Sequence, residues 1–132
     1  MNTTGDVFDN LRPLLADSLE VLGVGIASQV VGARARVEVF STPIYALVAI
    51  LSFVRSDDPE TEVAAVSVER RVDAVGGWAI DATGRSSRWL AEYVAGPDGD
   101  PDIDMGDAAA VLAGIEAIIR PWADVIVAEL KS

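Results

Sequence analysis

Hydrophobic residues change their spacing twice along this chain. Val7, Phe8, Leu11, Leu14, Leu15, Leu19 and Leu22 recur at three- and four-residue steps, which lines them on one face of an N-terminal helix. Pro13 lacks an amide hydrogen and clashes with the preceding turn, so the stable helix is expected to begin near Arg12. Gly23 and Gly25 are expected to end it. From Arg34 the period falls to two: Ala35, Val37 and Val39 alternate with Arg34, Arg36 and Glu38, as in a half-buried strand.

The segment 44–55 is apolar on both alternating faces, as a central strand covered on both sides would be. Thr42-Pro43 could instead cap a buried helix; the alternating segments that follow favour the strand. RSDDPETE, 55–62, is a turn by composition. After it, Ala64, Val66, Val68 and Val72 alternate with Ala65, Ser67, Glu69 and Arg71, and a second turn, DAVGG, leads to Trp78, Ile80 and Ala82 on one face. Residues 86–96 fit a fifth strand or a two-turn helix equally. Helical spacing returns with Val111, Leu112, Ile115, Ile118, Ile119, Trp122, Ile126 and Leu130, and Pro121 predicts a kink after Arg120. The expectation is a single α+β domain over 1–132. Its antiparallel meander of about four to five strands is packed by an N-terminal and a C-terminal helix in two layers.

Composition narrows the function. At 132 residues and 51% hydrophobic, the chain can bury roughly two-thirds of its unfolded surface in one core, and its composition is unlike that of disordered chains. The net charge of −11 repels phosphate backbones and anionic lipid, so neither nucleic acid nor membrane is expected as a partner. Acids outnumber bases nine to four up to residue 66 and twelve to six beyond it, so neither half is a charged tail. The acidic start, MNTTGDVFDN, lacks the basic and apolar regions of a signal peptide, and the apolar run 44–54 is shorter than the ~20 residues of a membrane helix. A cytoplasmic location is the expectation. Arginine outnumbers lysine nine to one, as GC-rich codons would give.

Chemistry has few candidates. Without histidine or cysteine there is no imidazole base, thiolate or serine-histidine triad, and no cysteine-based metal site. The single lysine, Lys131, is a poor amine nucleophile at its position. Glu38, Glu69 and Asp81 read as the polar sides of half-buried strands, so no catalytic residue, metal or cofactor is assigned. LGVGIAS, 22–28, follows a helical stripe and has Ser28 where a dinucleotide fingerprint needs its third glycine. TGRSSR, 83–88, is a hairpin turn that could grip an anion.

The densest feature is PDGDPDIDMGD, 97–107, with five aspartates in eleven residues. A calcium loop of the EF-hand type needs glycine at its sixth position and glutamate at its twelfth. Those positions are Ile103 and Ala109 when counted from Asp98, and Met105 and Val111 from Asp100. A turn followed by Asp107 as helix N-cap explains most of the run. Asp98, Asp100, Asp102 and Asp104 are more acid than a turn requires, and they form the candidate surface for a basic protein. Trp89, amid Ser86, Ser87 and Arg88, is the tryptophan most available to such a partner; Trp78 and Trp122 are expected in the core.

The helix-sheet-helix order and the acidity resemble small bacterial secretion chaperones and immunity proteins, in layout and with no diagnostic motif. That likeness implies a non-enzymatic module that neutralises or escorts a cognate basic protein, and a homodimer is compatible with it. The alternative is a small-molecule or carboxylate-based enzymatic site between sheet and helices, lined by Tyr45, Trp78 and Glu69.

Overall fold

A computed structural model describes residues 3–71, 78–84, 88–94 and 108–131, with side chains at 10–70, 81 and 109–131. The fold is α+β. Helix α1 (Thr3–Ala27) precedes three antiparallel strands, β1 (Ala33–Phe40), β2 (Tyr45–Arg55) and β3 (Asp58–Arg71). After β4 (Trp78–Gly84) and β5 (Arg88–Val94), the chain closes with α2 (Ala108–Ile119), a 3-10 turn at Arg120–Trp122, and α3 (Ala123–Lys131). Neighbours in sequence are neighbours in the sheet, in the order β1-β2-β3-β4-β5. The α1 helix and the C-terminal helices pack on the meander β1–β3.

Register fixes which residues meet the helices. Val37 lies opposite Leu51 and Leu51 opposite Val66; Val39 lies opposite Ala49 and Ala49 opposite Val68. Val39, Ala49, Leu51, Val66 and Val68 join Leu11, Leu15, Leu19 and Ile26 of α1, Val111, Ile115 and Ile119 of α2, and Ile126 and Leu130 of α3 in one buried cluster, with Val37 partly buried against it. A fully buried leucine or isoleucine stabilises by roughly 1.5–3 kcal/mol, so this layer dominates the fold. Near the hairpin end of β3 the register shifts, with Phe53 opposite Ala64 and Val54 opposite Glu62. Val63 is the extra residue, and both it and Ala64 are buried, as a bulge allows. The β2 strand is buried on both faces, as its apolar run, interrupted only by Ser52, predicts: Val48, Ser52 and Val54 on the far side are also below the surface. There, Arg36 reaches from β1 across β2 and donates a hydrogen bond to the Pro59 carbonyl.

Several local expectations are corrected. Helix α1 starts at Thr3, runs through Pro13 and continues past Gly23 and Gly25 to Ala27. Its end is made beyond the glycines, where Ser28 N–H donates to Val24 O at 2.8 Å and Val30 N–H to Ala27 O at 3.0 Å. Gly23 is needed for approach instead of termination: a Cβ there would sit 2.7 Å from Leu51 Cδ1 and 2.8 Å from Ala35 Cβ, so α1 lies directly over β1 and β2. The reversal into β1 uses Gly32, whose φ of 81° is left-handed. The acidic turn is shorter than its composition suggests, since Asp58 to Glu62 belong to β3. Leu14 is not in the core; it is half exposed.

The remaining elements follow the sequence pattern. The strand expected over 44–55 runs Tyr45–Arg55, and Arg88–Val94, within the segment 86–96 that fits strand or helix equally by spacing, is a strand. Pro121 sits in the 3-10 turn that separates α2 from α3. Trp122 is partly buried against the core. At the other end of α3, the Arg55 guanidinium donates to the Leu130 carbonyl, one of the last-turn acceptors that helix geometry leaves without an intrahelical partner. The proposed turn at 73–77 and the proposed Asp107 cap lie outside the described residues.

Candidate interaction surface on the first helix

The sequence singled out Asp98, Asp100, Asp102, Asp104 and Trp89. The four aspartates lie outside the described residues. Trp89 belongs to β5, where Arg88 pairs with Thr83 and Leu90 with Ala82, so its backbone occupies a register shift. The acids read as strand polar positions keep that role. Glu38 lies opposite Ile50, Ile50 opposite Ser67, and Ser67 opposite Asp81, while Glu69 lies opposite Val48. All belong to the face turned away from the helices, so Glu69 does not enter the space between sheet and helices. Among the described residues no group of three or more acids is placed to hold a metal ion. No described helix is long and apolar enough to cross a membrane.

A different surface emerges on α1. Leu11, Leu15, Leu19 and Ile26 occupy its buried arc. Leu14, Val21 and Val24 follow each other at seven and three residues, which places them in one slanting row outside the buried arc, from Leu14 at its flank to Val24 on the opposite side. They are 50%, 75% and 57% exposed. Isolated exposed apolar residues need no explanation, but three in one row of one helix form a stripe. Asp17 and Glu20 line the same shallow depression as Val21 and Val24, giving the stripe an acidic border.

Beside the stripe runs a groove of about 770 Å3 between α1 and the C-terminal helices. Val21, Leu22, Gly25 and Ile26 form its α1 wall, Glu116, Arg120 and Ala123 the other, and Ser18 and Gln29 add polar groups. Nothing stands within 4 Å of a Cβ built on Gly25, so this part of the wall is open. Arg120 pairs with Glu116 one helical turn away, with 63% and 32% of the two side chains exposed. Such an exposed pair is worth at most about 0.5 kcal/mol, so both groups are readily exchanged for a partner's. The arrangement offers apolar contact bordered by carboxylates. The signal for it in sequence was that apolar residues spread around α1 beyond the arc a core needs, with Val21 and Val24 off the stripe of Leu11, Leu15 and Leu19.

Comparison with protein-family models, with curated proteins and with solved structures found no match to this chain.

Proposed function

We propose that this is a non-enzymatic module that binds a basic protein, neutralising or escorting it as an immunity protein or secretion chaperone does. The observation that carries this reading is the exposed stripe Leu14, Val21 and Val24 bordered by Asp17 and Glu20 and continuous with the groove. A basic amphipathic segment matches it. Its apolar side chains would cover the stripe, and its cations would meet the acidic border. In this reading Asp98, Asp100, Asp102, Asp104 and Trp89 add to the recognition surface, and the net charge of −11 speeds encounter. The scaffold is taken as two layers, with β4 and β5 extending the meander to five strands. The alternative, a ligand or catalytic site between sheet and helices, is disfavoured because that space holds fully buried side chains, among them Leu15, Leu51, Phe53, Ile115 and Ile126.

The test is capture of partners from the native host by the wild type and two variants. Val21→Asp/Val24→Asp should abolish retention of the main partner, since a charge at the centre of an apolar contact is desolvated without compensation. Asp98→Asn/Asp100→Asn/Asp102→Asn should slow association several-fold at low salt and flatten its salt dependence. A partner retained equally by all three proteins would defeat the proposal.

A further inference from the structure

The β1 strand forms one edge of the sheet, and its register with β2 is unbroken from Ala33 opposite Arg55 to Phe40 opposite Val48. Extending that register by one residue sets Gly32 opposite Ser56, and Ser56 N–H donates to Gly32 O at 2.7 Å. In an antiparallel ladder, hydrogen-bonded pairs alternate with non-hydrogen-bonded ones. Arg34, Arg36 and Glu38 therefore direct their amides and carbonyls towards β2. Ala33, Ala35, Val37 and Val39 direct theirs outwards. The Ala33 amide is taken by Val30 O at 3.2 Å, and among the described residues no backbone group takes those of Ala35, Val37 or Val39.

An edge of this kind is usually blunted by a proline, a bulge or very short length, because it templates pairing with another chain. None of these occurs in the eight residues of β1. Its charges are of both signs, so they select a register instead of forbidding all of them.

We infer that β1 is a self-association edge, pairing antiparallel with β1 of a second copy about a twofold axis at Val37. The outward groups of the odd-numbered residues must meet each other, which allows centres only at successive residues of the strand. With the axis at Ala35, Arg34 faces Arg36 of the second copy. With it at Arg36 or at Glu38, that residue faces itself. With it at Val37, Arg36 stands opposite Glu38 of the second copy twice over, at the closely spaced positions where side chains interact most, and its guanidinium exchanges the Pro59 carbonyl for that carboxylate. On the helix-covered face Val37 then meets Val37, and Ala35 meets Val39. Of these four registers the Val37-centred one alone opposes no like charges. It also pairs the outward amides and carbonyls of Ala35, Val37 and Val39 in about six main-chain hydrogen bonds. This contact is separate from the α1 surface and does not depend on the partner-binding reading.

Analytical ultracentrifugation of the full chain at physiological salt tests it. The wild type should show a concentration-dependent monomer–dimer equilibrium. Glu38→Arg alone and Arg36→Glu alone should each weaken the dimer about tenfold, since two attractive cross-strand pairs become repulsive. The double variant Arg36→Glu/Glu38→Arg should restore it. Val37→Pro removes an outward amide, which an edge strand tolerates, together with a partly buried side chain packed against the core; it should yield a monomer that melts somewhat lower but still cooperatively, with the circular dichroism of a folded protein. A wild type that stays monomeric at every concentration would overturn the inference. So would a dimer indifferent to Glu38→Arg and Val37→Pro, or a double variant no tighter than the singles.

Discussion

The two helical regions of this protein each carry a proline in an apolar ladder, and they treat it in opposite ways. Helix α1 passes through Pro13 for 25 residues without a break, whereas the C-terminal helix gives way at Pro121 to a 3-10 turn and restarts as α3. An internal proline costs a helix about 3 kcal/mol. In α1, Leu11, Leu15 and Leu19 lie on one line spanning the proline and are all 1% exposed or less. At roughly 1.5–3 kcal/mol each, their burial exceeds the cost of continuing. The C-terminal region has a different task. Its first part packs on α1 and β3, and its last part on β3, α1 and β2, so the two parts serve different sets of neighbours. Pro121 sits at the start of the 3-10 turn, where its missing amide hydrogen costs little. Proline in a periodic pattern therefore marks a position where a helix is cheap to break; packing decides whether it breaks.

The largest effect should come from removing the packing that carries α1 across Pro13. Leu15→Ala should destabilise the domain by about 2–5 kcal/mol in denaturant unfolding. Leu14→Ala, its half-exposed neighbour, should change stability by no more than about 0.5 kcal/mol. Similar losses at both positions would mean that Leu14 belongs to the core after all.

Next in size is the pair of prolines, whose removal should act with opposite sign. Pro13→Ala regains most of the ~3 kcal/mol helix penalty and gives back ~0.4–1 kcal/mol of unfolded-state restriction, so a net gain of about 2 kcal/mol is expected. Pro121→Ala recovers little in the folded state and loses the same restriction, so a loss of about 0.4–1 kcal/mol is expected. Equal gains from both would erase the distinction between a tolerated and a used proline.

These contrasts show where the sequence was legible. The period-two segments identified β1 and the far part of β3, and the two-faced apolar run identified β2, because burial on both sides leaves no polar alternation to misread. The C-terminal break was visible because propensity and packing agree at Pro121. Along α1 they disagree, and single-residue rules misplaced both ends of the helix: Pro13 does not start it and the glycines do not finish it. The early part of β3 was hidden by composition, since Asp58, Pro59 and Glu60 are turn formers held in an exposed hairpin extension. The α1 surface escaped notice for a related reason. A helix with leucines at most faces looks like core until a structure tells which arc the sheet covers, and Leu14 differs from Leu15 only by 100° of rotation.

The finest form of the comparison lies within α1 itself, in two glycines separated by one residue. Replacing glycine by alanine inside a helix gains roughly 0.8–1.0 kcal/mol when the methyl group has room. At Gly25 nothing stands within 4 Å of the added carbon. Gly25→Ala should therefore raise stability by about that amount. At Gly23 the same carbon would press on Leu51 Cδ1 at 2.7 Å and Ala35 Cβ at 2.8 Å. Leu51 is fully buried, and the Ala35 methyl is fixed to the β1 backbone, so neither can withdraw without moving the sheet. Overpacking of this kind costs about 1–3 kcal/mol, more than the helix gains. Gly23→Ala should therefore lower stability while Gly25→Ala raises it, as read from the midpoints of two unfolding curves. If both variants were stabilised, α1 would not lie as close over Ala35 and Leu51 as the fold requires, and the glycine at 23 would be a helix breaker the chain overcame instead of the contact that lets α1 reach the sheet.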